Sequence, residues 1–400
     1  MDNPWVSIIG IGEDGLAGFC AARQEALANA DLIFGPPRHL ELALVDPARA
    51  RLWPVPFADG IDQVLAERGH GKKVAVLVSG DPFWFGGGAT LTRHLTSQEW
   101  RSIPAPSTFS WAASRLGWSL QSVVTLGLHA QPYATLVPHM APGQRAIVTL
   151  RDGAAAQELA AWLMSRDFGQ STLHVLEALG GPNERVRSVR ADHYDLDDVA
   201  HPVCAGVEFE GAPAFVTCAS GRADDLFDHD GQITKRPVRA LTLSALAPRP
   251  NELLWDLGAG SGSIAIEWLL SHPSLRAIAV EQDEMRAERI RANAKKLGVP
   301  HLVVQNGTIV ESFRTLETPD VVFIGGGFSS DLLDVLWPIL PAGTRLVANS
   351  VTLESDADML RAQSELGGEL LRVELAAPKA IGSRSGWAAR YPIMQWSVVK

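Results

Sequence analysis

The sequence predicts an α/β protein of two domains. Its 400 residues exceed the usual domain length of about 150 residues more than twofold. Short apolar runs that suit covered strands alternate with stretches of helical periodicity along both halves. An acidic segment at 211–232, poor in apolar periodicity, predicts a linker between domains 1–210 and 233–400; an ordinary long surface loop is the alternative.

The amino-acid composition argues against several classes of protein. A hydrophobic fraction of 46% excludes wholesale disorder, and the formal net charge of −10 disfavours a general nucleic-acid binder. The three cysteines, Cys20, Cys204 and Cys218, form no disulfide framework or Cys-x-x-Cys site. No apolar run is long enough for a membrane helix, and the first residues do not resemble a secretory signal. We therefore expect a cytoplasmic protein without metal or membrane binding.

The first half predicts six strands and an early helix. The helix follows the first strand and carries apolar residues near helical spacing between Leu16 and Ala30. The predicted strands are 5–9, 31–34, 74–79, 146–150, 172–176 and 203–209.

The second half predicts a doubly wound sheet more clearly. Repeated β-α-β order implies parallel strands, with four helices at about 262–271, 283–298, 329–340 and 354–367. The seven predicted strands are 252–257, 277–281, 302–305, 320–324, 344–348, 370–376 and 395–399.

The first glycine-rich turn is GIGEDG at residues 10–15, which matches the G-x-G-x-x-G pattern of dinucleotide sites. Asp31 has the spacing of a ribose-binding acid, but it precedes its strand, whereas such an acid belongs at the carboxyl end. A nicotinamide-dependent oxidoreductase is therefore disfavoured. A strand-to-helix turn without a ligand is a further alternative.

The second glycine-rich turn is DLGAGSGS at residues 256–263, between a strand and a helix. Glu281 lies at the carboxyl end of the next strand, where a carboxylate can accept from both ribose hydroxyls of a nucleoside. Asp256 can position an aminoacyl group or cap the turn. This turn predicts a site for an adenosyl compound; a structural turn without a ligand is the alternative.

These motifs resemble two families. LWDLGAGSGSIAIE (254–267), with Glu281, resembles class I S-adenosylmethionine-dependent methyltransferases. GQITKRPVRA (231–240), PDVVFIGGG (319–327) and ANSVTLES (348–355) are similar to the precorrin-6-decarboxylating methyltransferases of cobalamin biosynthesis. VSIIGIGEDG (6–15), VSGDPFWFGGG (78–88) and PAPSTFSWAASRLGW (104–118) resemble class III tetrapyrrole methylases. The first turn departs from that family's usual glycine-any-glycine-proline pattern at Glu13, which leaves the role of Asp14 open.

The resemblance implies a class III methylase fold with two α/β subdomains, followed by a class I Rossmann-like domain with a seven-stranded sheet. It implies methylation of a precorrin-6 type tetrapyrrole at carbon 5 by the first domain. The second domain would methylate carbon 15 and decarboxylate an acetate side chain. One S-adenosylmethionine is expected per domain, and relatives suggest a homo-oligomer.

The expected donor-binding residues follow from this resemblance. In the first domain they are Gly10, Gly12, Ser79, Gly80, Asp81, Ser107, Thr108, Glu177 and Ala178. In the second they are Thr234, Asp256, Gly258, Gly260, Gly262, Glu281, Asn306, Gly307 and Thr308. Asp81 and Ser107 have an alternative role as caps of the following turn and helix.

A polycarboxylate substrate calls for cations in its cleft. The expected substrate-binding residues are two basic groups and a glycine triplet: Lys235, Arg236 and Arg239; Lys379, Arg384 and Arg390; and Gly325, Gly326 and Gly327. Solvated basic faces and a flexible turn are the alternatives. No catalytic residue is identified, and Tyr391 and His301 are weak candidates for the acid that protonates carbon after decarboxylation.

Two further hypotheses stay open. One is a class I methyltransferase of RNA or protein with a recognition module as its first half. It lacks the Asn-Pro-Pro-aromatic motif of amino methylation, because the fourth strand of the second half ends in IGGG at 324–327. The other is a first half that serves only assembly. The order of the two methylations does not follow from the sequence.

Overall fold

The computed structural model describes residues 4–211 and 217–400; residues 1–3, and residues 212–216 of the predicted linker, lie outside the described part. The chain forms two compact units, 1–133 with 139–214, and 134–138 with 215–400. The domain bounds predicted at 210 and 233 stay a prediction. Arg222 and Phe227, inside the predicted linker, are buried in the second unit.

The first unit contains two five-stranded sheets. One is wholly parallel, in the order β3-β2-β4-β1-β5, and the other, β6-β7-β10-β8-β9, is mostly antiparallel. Their strands are β1 (Val6–Ile11), β2 (Leu32–Gly35), β3 (Ala50–Leu52), β4 (Val74–Ser79), β5 (Trp100–Ile103), β6 (Val124–Gly127), β7 (Arg145–Thr149), β8 (Thr172–Glu177), β9 (Arg185–Arg190) and β10 (Val203–Glu208). The helices are α1 (Ala21–Ala28), α2 (Pro37–Leu42), α3 (Phe57–Leu65), α4 (Gly88–Thr92), α5 (Thr108–Leu116) and α6 (Ala154–Met164).

All six predicted strands of the first half are present, and four more join them. The central strands β1 and β4 are apolar and almost wholly buried, as parallel strands covered on both faces must be. The four unpredicted strands, β3, β5, β6 and β9, are only partly buried, and all four lie at sheet edges.

The second unit contains a seven-stranded sheet with helices between its strands. Its strands are β11 (Leu253–Leu257), β12 (Arg276–Glu281), β13 (Val303–Asn306), β14 (Val321–Ile324), β15 (Arg345–Ser350), β16 (Glu369–Val373) and β19 (Ile393–Val399), and β17 (Ala376–Ile381) and β18 (Arg384–Ala389) form a separate hairpin. The helices are α7 (Arg236–Leu246), α8 (Ser263–Leu269), α9 (Glu284–Lys296), α10 (Ile309–Ser312), α11 (Ser330–Ile339) and α12 (Leu353–Leu366).

The strand order is β13-β12-β11-β14-β15-β19-β16, and the seven predicted strands are all in it. The five strands that alternate with predicted helices, β11 to β15, are parallel, whereas β19 runs antiparallel to both β15 and β16. The strand predicted at 370–376 ends at Val373, and the chain then enters the hairpin. Reversal of the strand order at β11 and β14 opens a crevice at their carboxyl ends.

Helix ends in the second unit are set by local polar groups. Asp283 and Thr352 accept hydrogen bonds from backbone N–H groups in the first turns of α9 and α12. Lys295 and Lys296 lie in the last turn of α9, where the helix dipole favours cations. Among the residues described, no helix is both long and apolar enough to span a membrane.

A buried ion pair attaches the start of the second unit to α8. The carboxylate of Glu267 accepts from the backbone N–H groups of Gly221 and Arg222, at 2.7 and 2.9 Å, and from Nε of Arg239 at 2.7 Å. Glu267 and Arg239 are fully buried. Asp224 adds a second carboxylate 3.0 Å from Arg239. This network fixes the segment before α7 against the helix that follows the glycine-rich turn.

We predict that Glu267→Gln lowers the unfolding free energy of the second unit by about 3–5 kcal/mol, because it removes the charge that pairs with the buried Arg222 and Arg239 and leaves only Asp224 beside Arg239. Chemical denaturation of the full chain, followed by circular dichroism, measures this loss. Glu317→Gln, which breaks an exposed pair with Arg276, is the matched control and should leave the transition unchanged. Equal transitions for the two variants would contradict the structural role of Glu267.

Candidate functional sites

The first unit contains a cavity of about 430 Å³ lined by residues from both of its sheets. This volume lies within the range of small-molecule sites, about 300–1,000 Å³. Five of the predicted donor-binding residues line the cavity: Gly12, Ser79, Gly80, Ser107 and Thr108. They follow β1, β4 and β5, so the carboxyl edge of the parallel sheet forms one wall. Gly10, Asp81, Glu177 and Ala178 are not among the lining residues.

Gly10 is required by the packing of the backbone. A Cβ atom at this position would lie 2.0 Å from the carbonyl oxygen of Gly80 and 2.4 Å from the nitrogen of Ala105. The N–H of Ala105 donates to that same carbonyl at 3.1 Å. Glycine at this position therefore allows the carboxyl ends of β1, β4 and β5 to pack closely together.

Asp81 and Ser107 both cap backbone turns. Asp81 accepts from the N–H of Phe83 at 2.9 Å, and Ser107 accepts from the N–H of Ser110 at the start of α5. Ser107 also lines the cavity, so for this residue capping and ligand contact are compatible.

Glu177 is held inside the second sheet of the first unit. It is 1% exposed and pairs with Arg185 at 2.6 Å and Arg187 at 2.9 Å. Burial raises the pKa of Glu177, but the hydrogen bonds from Arg185, Ala200 and Arg187 lower it overall. The carboxylate is therefore fully engaged, and Ala178 beside it is buried with φ +44°.

Sequence reasoning missed the aromatic and cationic part of the cavity wall. The aromatic side chains are Trp84, Phe85, Phe109 and Trp111, and the basic ones are Arg38, His129, Arg151 and His201. Burial lowers the pKa of both histidines, which favours their neutral forms. Asp31, by contrast, accepts from the N–H of Lys73 at the amino end of β2, far along the strand from this edge.

In the second unit, the glycine-rich turn lies at the carboxyl end of β11. Gly258, Gly260 and Gly262 have φ between +60° and +74°, a region that glycine adopts without strain. Glu281 accepts from the N–H of Gly260 at 2.8 Å and from that of Asp283 at 3.0 Å. Each of its carboxylate oxygens keeps a further lone pair for a ligand hydroxyl. Apart from Gly260 itself and its two chain neighbours, no atom of the described residues lies within 4 Å of a Cβ built on Gly260.

Asp256 is a buried acid with an incomplete set of partners. One carboxylate oxygen accepts from the N–H of Ala265 at 3.0 Å, while the other is buried and has no hydrogen-bond partner. Burial raises the pKa of Asp256 to about 7, with a smaller contribution from the nearby charge of Glu281. A ligand cation beside the free oxygen would complete its hydrogen bonding.

The remaining predicted residues of this edge lie around the same turn. Asn306 donates to the carbonyl oxygens of Glu281 and Gln282, and Thr308 caps α10. Gly307 donates its N–H to Glu281. The triplet Gly325, Gly326 and Gly327 follows β14, and the carbonyl of Gly326 lies 3.3 Å from a Cβ built on Gly258. Both glycine segments therefore border the crevice.

The first predicted basic group is divided by the fold. Arg239 is fully buried in the network with Glu267, so none of its side chain is left for a substrate. Its Nη1 donates to the carbonyl oxygen of Thr234, which holds that segment in place. Arg236 is exposed, and Lys235 lines a second cavity.

The second cavity, of about 850 Å³, brings together residues predicted separately. Lys235 lines it with Arg390 and Tyr391, beside Ile393 at the start of β19. Lys379 and Arg384 lie on the neighbouring hairpin. Because Met394 pairs with Ser350, this cavity borders the carboxyl end of β15. His301 precedes β13, at the opposite edge of the sheet.

Comparison with known proteins assigns the family. Residues 6–195 match the family model of tetrapyrrole (corrin/porphyrin) methylases, and residues 225–400 match that of the precorrin methyltransferase domain. The chain is 46% identical to the precorrin-6Y C(5,15)-methyltransferase (decarboxylating) of a Sinorhizobium species, over 100% of this chain and 97% of the relative. The chain belongs to the precorrin-6Y C(5,15)-methyltransferase family.

Two other matches agree in name. The Mycobacterium tuberculosis protein of the same name is 38% identical over 99% of this chain and all of the relative. The C-terminal domain of precorrin-6Y C5,15-methyltransferase from Rhodobacter capsulatus is 46% identical, covers 46% of this chain and all of that domain, and gives a TM-score of 0.45. Methylases of this family use S-adenosylmethionine as methyl donor.

The residues of the second unit fit this donor. Its ribose carries hydroxyls for Glu281, and its cationic amino group suits the unpaired oxygen of Asp256. The open space at Gly260 admits a ligand close to the backbone. Among residues 4–211 and 217–400, no cluster of three or more His, Cys, Asp or Glu side chains is arranged to hold a metal ion.

We predict that donor binding to the second unit strengthens as pH rises through about 7. Only the ionised form of Asp256 attracts the donor's amino group, and ionisation is about tenfold more complete at pH 8 than at pH 6. Calorimetric titration with S-adenosylhomocysteine at these two pH values should show up to about a tenfold gain in affinity at one class of site. Asp256→Asn should abolish that gain, and an unchanged pH profile in the variant would contradict the assignment.

Proposed function

We propose that this chain transfers methyl groups from S-adenosylmethionine to carbons 5 and 15 of a precorrin-6 type tetrapyrrole and removes carbon dioxide from an acetate side chain. The observation that carries the proposal is the 46% identity, along the whole length, to an enzyme named for these reactions. The same similarity favours this function over methylation of RNA or protein. The reaction belongs to cobalamin biosynthesis, and we propose that it occurs in the cytoplasm.

We further propose that each domain binds one donor molecule and performs one methylation. The tetrapyrrole methylase match at 6–195 supports carbon 5 for the first domain, and the precorrin methyltransferase match at 225–400 supports carbon 15 and decarboxylation for the second. The two sites differ in architecture, since one is a cavity between two sheets and the other a crevice at one sheet edge. Such a difference suits two distinct methylations of one substrate.

When bound, S-adenosylmethionine supplies an electrophilic methyl group for in-line displacement by an electron-rich ring carbon. The protein then contributes chiefly position, orientation and exclusion of water. In the first unit, the hydroxyls of Ser107 and Thr108 orient the ligand, while Trp84 and Phe109 form apolar wall. No general base is needed for the displacement itself, because the proton leaves the ring carbon after methylation.

In the second unit, Glu281 and Asp256 orient the donor, and Lys235 and Arg390 bind substrate carboxylates. During decarboxylation, the electron pair of the broken carbon–carbon bond enters the conjugated ring, and a proton is then added to carbon. Tyr391 lies beside Arg390 in the second cavity and is our candidate for the donor of that proton. His301 is a poor candidate because it lies at the opposite sheet edge.

We predict that Gly260→Ala blocks methylation at carbon 15 and decarboxylation but leaves methylation at carbon 5. The added methyl group enters the space assigned to the donor, and φ +60° adds roughly 1 kcal/mol of strain. Wild-type chain should bind two molecules of S-adenosylhomocysteine in a calorimetric titration, and the variant one. Mass spectrometry of the precorrin product should show one added methyl group and no loss of carbon dioxide.

Gly343→Ala is the matched control. Gly343 also has positive φ and open space around a built Cβ, but it lies at the amino end of β15, away from the crevice. Its product and its stoichiometry should equal those of the wild type. A wild-type chain that binds one molecule of S-adenosylhomocysteine, or a Gly260→Ala chain that still methylates carbon 15, would overturn the division of labour.

A further inference from the structure

The cavity of the first unit presents a guanidinium group that the proposed function has not used. Arg38 follows β2 at the carboxyl edge of the parallel sheet, the edge that also carries Gly12 and Ser79. Its side chain is 32% exposed and lines the cavity. A guanidinium group at this depth needs a carboxylate or hydrogen-bond acceptors around it.

Both Nη atoms of Arg38 contact polar groups, which hold the guanidinium group in the cavity wall. Nη1 pairs with the carboxylate of Glu13, another lining residue. Nη2 lies 3.2 Å from Nε2 of His39 and 3.5 Å from Oγ of Ser79. His201, which also lines the cavity, has its pKa lowered by burial and by the charge of Arg38. Arg38 therefore stands among polar groups from both sheets.

His39 contacts both Arg38 and Ser79 and so fixes their positions. It is 5% exposed, and burial followed by the charge of Arg38 lowers its pKa to about 4, so the ring is neutral at physiological pH. The tautomer that satisfies both ring nitrogens has Nδ1–H donating to the carbonyl of Leu77 at 3.4 Å. Nε2 then accepts from Oγ of Ser79 at 3.0 Å and from Arg38. The arginine and the serine of the donor loop thus share one acceptor.

We propose that Arg38 is the carboxylate-binding residue of the first unit's cavity and that Glu13 pairs with its Nη1 until a ligand carboxylate replaces it. The exchange is carboxylate for carboxylate, so the guanidinium charge stays paired throughout. An arginine fork gives such a ligand two parallel hydrogen bonds and fixes its orientation. The proposal rests on the proposed function only for the identity of the substrate.

Arg151, the other arginine of the cavity wall, is less suited to this role. It is 57% exposed and already pairs with two acids, Asp152 at 2.7 Å and Glu158 at 3.1 Å. Two competing carboxylates in contact with water leave little attraction for a third. Arg38 has one such competitor and a more buried position.

Two ligands of this enzyme carry the required carboxylate: the methionine part of the donor, and the acetate and propionate arms of the tetrapyrrole. The test therefore uses full-length Arg38→Ala, Arg38→Lys and Glu13→Gln chains with three probes. S-Adenosylhomocysteine contains the donor's carboxylate, and methylthioadenosine lacks it. Uroporphyrin, a stable tetrapyrrole with only acetate and propionate side chains, reports the substrate's carboxylates through quenching of tryptophan fluorescence.

If Arg38 binds the donor, Arg38→Ala should weaken S-adenosylhomocysteine at one class of site roughly 10- to 100-fold and leave methylthioadenosine unchanged. If it binds the substrate, the same loss should appear with uroporphyrin, and the KM for precorrin in carbon 5 methylation should rise. The affinity of Arg38→Lys for the affected probe should lie between those of the wild type and Arg38→Ala, because lysine keeps the charge and loses the fork. Glu13→Gln should bind the affected probe more tightly, because this substitution removes the competing carboxylate.

Methylation at carbon 15 by the same chain is the internal control for folding and concentration. Arg68→Ala, which removes a surface pair with Glu99 in the same unit, controls for loss of an arginine and should change none of the probes. Unchanged binding of all probes by Arg38→Ala would overturn the proposal, as would weaker binding by Glu13→Gln. A wild-type chain that binds these probes but does not methylate precorrin would refute the proposed function and leave the binding test of Arg38 intact.

Discussion

Removal of a carboxylate from water costs several kcal/mol unless hydrogen bonds or a counter-charge replace the water. Among the residues that the structure describes, four acids, Glu177, Asp256, Glu267 and Glu281, are buried to this degree. Glu177 and Glu267 are paired with arginines and hold strands and helices together. Glu281 is satisfied by backbone N–H groups and fixes the glycine-rich turn to the next strand. Asp256 alone of the four keeps a buried oxygen without a hydrogen-bond partner.

This difference separates structural acids from ligand-binding ones more sharply than their sequence positions do. Glu177 and Glu281 both end a strand, and sequence reasoning assigned both to the donor. The structure surrounds Glu177 with two guanidinium groups from β9, a strand that the sequence did not predict. Arg239 illustrates the same point for a cation: a basic residue near a family motif looked suited to a substrate, yet its partner Glu267 lies 28 residues away and buries it.

The strands that could be predicted are those whose residues are apolar on both faces. β1, β4, β11 and β14 bury almost every residue, and their runs of valine, leucine and isoleucine are visible in the sequence. The hairpin of β17 and β18 is mostly exposed and rich in alanine, so it has no such signal. The residues of β19 show no pattern that reveals its direction, so its antiparallel course had to come from the structure. The missed Arg38 did have a signal, since it lies four residues after a predicted strand, at the edge already assigned to ligands.

The acidic balance of the chain constrains how it can accept a polycarboxylate. At physiological ionic strength the Debye length is about 8 Å, so the net charge of the whole molecule acts weakly on a ligand inside a cavity. What decides binding is the local count of charges along each wall. The second cavity has Lys235 and Arg390 among its lining residues and no acid. The first has Arg38 and Arg151 with one lining acid, Glu13, which can be displaced without leaving a bare cation. Anion recognition by an acidic protein therefore depends on a few cations placed in the wall of each cavity, not on the charge of the whole molecule.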